Sequence, residues 1–186
     1  NLQFDDCVWG GMVDAKMATA LTGRNGQALE DYKKRLLKLN NQVVAQAPED
    51  LVINTHVCRG NYHSTFFSSG AYDSVADLLF GEENVNAYYL EYDDKRSGGF
   101  APLAKVSGDK KVVLGLITTK IPQLEDKGKV IARIHEAEKY VPLDRLYLSP
   151  QCGFASCEIG NKLTEEEQWE KLKLVKEIAE EVWGDR

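Results

Sequence analysis

Thr55-His56-Val57-Cys58-Arg59-Gly60 sets an imidazole and a thiol two residues apart at the end of an apolar, β-branched run, residues 51–57. On a strand, side chains at i and i+2 point to the same side. Imidazole and thiolate are a ligand pair that Zn²⁺ favours. His-x-Cys alone is a weak signal, because a buried histidine beside an inert buried cysteine is common. Two other strand ends strengthen it. Tyr88-Tyr89-Leu90-Glu91-Tyr92-Asp93-Asp94 carries acids after an apolar run, and Leu146-Tyr147-Leu148-Ser149-Pro150-Gln151-Cys152-Gly153 carries a thiol. In a parallel sheet all C-terminal strand ends lie along one edge, where α/β sites form. His56, Cys58, Glu91 and Cys152 can therefore converge. Two thiolates, a carboxylate and a neutral imidazole around a divalent ion leave the site net negative. Such a site is ill suited to holding hydroxide for hydrolysis and well suited to deprotonating another thiol.

The elements that must position these residues are legible as alternating strands and helices. Residues 2–5 read as a short strand ending in Asp5 and Asp6. Apolar residues at 29, 32, 36, 39, 43 and 47 have helical spacing, and Pro48 closes that segment. Strands are expected at 51–57, 87–92, 112–117 and 145–148. Helices are expected at 74–80, capped by Asp73 and stopped by Gly81, at 128–140, and at 164–183 behind the capping box Thr164-x-x-Glu167. Repeated βα units imply a parallel sheet covered by helices. Five strands are too few for a closed eight-stranded barrel, which takes about 250 residues. The alternatives are an open doubly wound sheet or the last five units of a barrel. A first strand that begins at residue 2 without a preceding Met fits the second.

Composition narrows the class. The 186 residues carry a formal net charge of −6. That balance argues against nucleic acid as the main partner, since phosphate binding needs a basic face. No apolar run approaches the roughly 18 residues of a membrane span, and no signal peptide opens the chain. Four unevenly spaced cysteines, Cys7, Cys58, Cys152 and Cys157, fit reduced thiols in a cytoplasmic protein better than a disulfide framework.

Four blocks in this order carry a family likeness: Leu-Gln-Phe-Asp-Asp at 2–6, Thr-His-Val-Cys-Arg-Gly-Asn-Tyr at 55–62, Leu-Glu-Tyr-Asp at 90–93 and Ser-Pro-Gln-Cys-Gly-Phe at 149–154. The chain resembles the C-terminal catalytic domain of cobalamin-independent methionine synthase, and more closely the shorter bacterial relatives of that domain. The resemblance spans essentially all of the chain. It implies a (β/α)₈ TIM barrel, of which residues 1–186 form the C-terminal part, about the last five βα units. It implies a zinc-dependent methyltransferase acting on the thiol of homocysteine, with 5-methyltetrahydrofolate as the family's methyl donor. The family's zinc ligands fall on His56, Cys58, Glu91 and Cys152, and its ammonium-binding acid falls on Asp5. The family's proton-donating histidine has no counterpart: the run is Thr118-Thr119-Lys120-Ile121-Pro122, so Lys120 or a neighbouring Thr stands in the catalytic position, with Lys120 the candidate acid. About three earlier βα units of the family domain are absent, so an N-terminal part of the barrel or a partner chain is expected.

Other residues read more plainly. Asp93 and Asp94 are expected in a solvated turn with Lys95 and Arg96. Glu91 could pair with Arg59 or Arg96 instead of a metal, and Arg59-Gly60 could hold a carboxylate or phosphate. Cys7 and Cys157 read as spectator thiols. Two further functions compete: a uroporphyrinogen-decarboxylase-like barrel, which needs several arginines at the strand ends, and a zinc- or thiol-binding barrel without catalysis.

Overall fold

The computed structural model describes residues 1–23 and 25–184. Five strands form one sheet in the order β1(Leu2–Asp5), β2(Ile53–Val57), β3(Ala87–Glu91), β4(Lys111–Ile117) and β5(Leu146–Pro150). Every neighbouring pair is parallel, with Asp5 opposite His56, His56 opposite Tyr89 and Gly115 opposite Ser149. Strands adjacent in chain order match the βα repetition read from the sequence, except that β3 reaches β4 through 3₁₀ turns at Lys95–Ser97 and Ala101–Lys105 with no α-helix between.

One sheet face packs on helices α1(Cys7–Met12), α3(Gly26–Val44), α4(Ala76–Glu82), α5(Lys127–Glu138) and α6(Glu165–Trp183), while α2(Ala15–Thr22) packs on α1 and α3. Val57, Tyr88, Leu90, Val112, Leu114 and Leu146 share one buried apolar cluster with Trp9, Leu79, Ile134 and Ile178. Tyr72, Phe80, Tyr88, Tyr92 and Phe100 form a chain of tilted or edge-on aromatic contacts through that layer, with centroids 4.7–5.8 Å apart. The opposite face presents Gln3, His56, Tyr89, Glu91 and Ser149 around a narrow cleft.

Several boundaries depart from the sequence reading. Residues 7–22 form two short helices, each opened by an aspartate: Asp6 accepts from the amides of Val8 and Trp9, and Asp14 from those of Lys16 and Met17. Asp73 is not a cap. It lies in a single 3₁₀ turn, Tyr72–Ser74, and α4 begins after Val75 with no side-chain cap. Gly81 does not stop α4, which runs through it to Glu82. The capping box at Thr164 and Glu167 is formed as expected.

Candidate metal centre

Each predicted ligand sits where a strand runs out. His56 is the penultimate residue of β2 and Cys58 the first beyond it, Glu91 ends β3, and Cys152 lies two residues past β5. In the β2–β3 register His56 faces Tyr89, so Glu91 is one step further along on the same face. One donor atom from each of His56, Cys58, Glu91 and Cys152 lies within 4.8 Å of all the others. The two thiols are 3.7 Å apart, within hydrogen-bond reach and not joined by a disulfide, and His56 Nε2 is 3.4 Å from Glu91 Oε1. The cleft beside them encloses about 40 Å³, room for an ion or a few waters. A larger cavity of about 750 Å³ opens at the other end of the strands, beside Val52, Asn86 and Lys111, and contains none of these donors.

The surrounding contacts orient each donor. Asp5 Oδ1 is 2.7 Å from His56 Nδ1, leaving Nε2 to face Glu91. Glu91 Oε1 accepts the backbone N–H of Arg59 at 2.8 Å, while Oε2 accepts from Gln151 Nε2 at 2.7 Å and from Arg96 at 3.0 Å. Cys152 has a left-handed backbone, φ 58°, unusual for a residue with a Cβ. Its neighbours hold that turn: the Gln151 N–H donates to Ile117 O, and Asn61 donates to the Gly153 carbonyl at 2.6 Å. Gly10 of α1 passes so close to β2 that a Cβ there would lie 2.0 Å from the Cys58 carbonyl oxygen.

Electrostatics follow from burial and crowding. Burial works against the charged imidazole of His56, but the bond to Glu91 and the nearby Cys58 and Asp5 outweigh it and raise its pKa. Burial works against a charged Glu91 as well, yet bonds from His56 and the Arg59 amide, with Lys120 and Gln151, hold its carboxyl below the usual range. The hydrogen bond to Cys152, together with burial, pushes the Cys58 thiol up. The same bond draws the Cys152 thiol down. Burial lowers the pKa of Lys120, whose Nζ is buried without a hydrogen-bond partner among the described residues. Two buried cations, Arg96 and Lys120, thus stand beside a donor set that is net negative when deprotonated. The donor types and their convergence fit a thiophilic divalent ion.

Other residues behave differently from their reading. The solvated turn holds for Asp94 and Lys95, which are exposed, but not for the side chains of Asp93 and Arg96. Asp93 is buried and accepts from the buried Arg96 at 2.8 Å, and Asp94 caps the 3₁₀ turn Lys95–Ser97. The guanidinium of Arg96 also stacks on Phe66. Arg59 offers nothing to a ligand: its guanidinium is fully buried over Tyr72 and donates to Gly70 O. Among the described residues, Arg59 is buried and Arg96 is held by three carboxylates, so neither is free for a polycarboxylate at these strand ends. Cys7 stands close to Cys58, and Asp5, Cys7 and Cys58 form a second convergent set. Gln151, which ties Glu91 to the Cys152 turn, carries no sequence signal beyond its place before that cysteine.

Comparison with known proteins gives a consistent picture. Residues 21–181 match the family described as cobalamin-independent synthase, catalytic domain. The uncharacterized Bacillus subtilis protein YxjG is 46% identical over 183 residues, covering 98% of this chain and 48% of that protein. A Listeria monocytogenes structure, provisionally described as a vitamin-B12-independent methionine synthase, superposes with a TM-score of 0.73 at 35% identity, again over 98% of this chain and 48% of that one. A B12-independent methionine synthase from Shewanella sp. W3-18-1, solved in complex with selenomethionine, shares the fold with a TM-score of 0.69 at 18% identity, over 97% of this chain and 48% of that one. The chain therefore spans about half the length of the relatives it matches. Among the described residues no helix is long and apolar enough to cross a membrane.

Proposed function

The chain belongs to the cobalamin-independent synthase family, matching its catalytic domain, and from that premise we propose that it serves a zinc-dependent transfer of a methyl group to the thiol of homocysteine. The observation that carries the reading is the convergence of one imidazole, two thiols and one carboxylate within 4.8 Å at the C-terminal ends of parallel strands. His56, Cys58, Glu91 and Cys152 would hold the zinc, whose contribution is to deprotonate the acceptor thiol at neutral pH.

The chain's own groups supply the rest. Asp5, with a side chain 66% exposed, has a carboxylate oxygen to spare for the acceptor's ammonium while the other holds His56. Lys120 reaches the site as a buried, unpartnered ammonium whose lowered pKa eases proton release. In this proposal it protonates the nitrogen that loses the methyl group, in the place where the family uses a histidine, and the donor is of the 5-methyltetrahydrofolate class. Residues 1–186 act as the C-terminal part of one barrel domain in the cytoplasm. The free edges of β1 and β5 are closed by further βα units from an N-terminal segment or a second chain, which also wall the pocket.

The test is methyl transfer by the intact protein to homocysteine from 5-methyltetrahydrofolate, comparing wild type with Lys120→Ala. The reading expects product from wild type and a fall in kcat of about 10²–10⁴ in the variant, the usual worth of a general acid, with zinc content unchanged. Zinc-loaded wild type that methylates no thiol from any folate donor would overturn it.

A further inference from the structure

Cys7 follows the capping residue Asp6 and opens α1, and its sulfur lies beside that of Cys58. Asp5, Cys7 and Cys58 each offer an atom within 4.8 Å of the other two. Only Cys58 belongs to both clusters; neither Asp5 nor Cys7 is needed to complete the inner four-donor set.

We propose that Asp5, Cys7 and Cys58 form a second, outer site for a thiophilic divalent cation, with the Cys58 thiolate shared between the two ions. Two sulfurs and one carboxylate oxygen are the donors that Zn²⁺ and Cd²⁺ select over Mg²⁺ or Ca²⁺. A thiolate has lone pairs for two metals, and a carboxylate has two oxygens, so Asp5 can keep His56 Nδ1 on one and present the other to the outer ion, which then competes with the acceptor's ammonium for that oxygen. Exposure separates the two sites. His56, Cys58 and Glu91 are buried, whereas Asp5 and Cys7 are open to solvent. With three protein donors and solvent-filled positions, the outer ion is held more weakly and exchanges faster than the inner one. This inference shares Cys58 with the inner site but needs no assumption about the methyl-transfer reaction.

Cd²⁺ titration of the metal-free intact protein tests it, read by thiolate-to-metal ultraviolet absorption, by direct metal counting after equilibrium dialysis and by ¹¹³Cd resonances. Wild type should take up two equivalents, the second more weakly, and show two resonances. Cys7→Ser, a near-isosteric change at an exposed position, should retain one equivalent and lose one resonance. A wild type that saturates at one equivalent unaffected by Cys7→Ser would overturn the outer site while leaving the inner one standing. Cys7→Ser that still binds two would overturn it equally. Uptake of no Cd²⁺ at all would overturn both sites together.

Discussion

Asp5 and His56 are paired directly across the β1–β2 register, and their side chains meet with Asp5 Oδ1 2.7 Å from His56 Nδ1. A carboxylate on one ring nitrogen fixes the tautomer and orientation of a ligating histidine. Asp5→Asn should therefore keep full zinc stoichiometry at saturation but lower zinc affinity about 10–100-fold, the usual worth of such a partner. It should also weaken homocysteine binding by about 1.5–3 kcal/mol, the range for a hydrogen bond to a charged group. Chelator competition and calorimetry check the two effects separately; unchanged values in both would remove Asp5 from the site.

Gly10 and Gly11 are neighbours in α1 with opposite surroundings. A Cβ on Gly10 would meet the Cys58 carbonyl at 2.0 Å, while one on Gly11 meets nothing within 4 Å. Gly10→Ala should cost about 1–3 kcal/mol through forced backbone movement and displace Cys58, lowering metal affinity. Gly11→Ala should be neutral or stabilising by up to about 1 kcal/mol. Denaturant midpoints of the two variants decide it, and equal losses would contradict the close approach of α1 to β2.

Glu83 supplies a pH dependence away from the metal centre. Its side chain is fully buried, accepts from Trp9 Nε1 and Asn40 Nδ2 on Oε1, and leaves Oε2 without a partner among the described residues. Burial raises its pKa to about 7, against an ordinary value of 4.5. The folded state thus binds more protons than the unfolded state between these values. Stability from this group is complete below about pH 4.5 and is lost as pH rises toward 7, by about 3 kcal/mol in all. Glu83→Gln should abolish that decline, so the variant gains on wild type between pH 5 and 8. Parallel pH profiles for wild type and variant would count against the burial argument.

The inner donor set was legible because each member lies at or just past the end of a strand, and parallel strands deliver their C-terminal ends to one edge. The contacts that orient it were not. Asp5 meets His56 only through the β1–β2 register, which no local pattern specifies. Asp93 looked solvated because Asp-Asp-Lys-Arg reads as a polar turn; its burial depends on Arg96 folding back in a 3₁₀ turn and stacking on Phe66. Residues 7–22 gave no helical period because α1 is only six residues long and contains two glycines. Their aspartate caps were the readable signal. Trp169 reads as a packing residue on the last helix but is 58% exposed, bonded only to Glu165 one turn earlier.

Zinc counting on the intact protein tests the central claim most directly. After purification and dialysis, wild type should retain one tightly bound equivalent, and Cys58→Ser and Cys152→Ser should each lose it while Cys157→Ser keeps it. Full retention of zinc by both Cys58→Ser and Cys152→Ser would contradict the assignment of His56, Cys58, Glu91 and Cys152 as the metal centre.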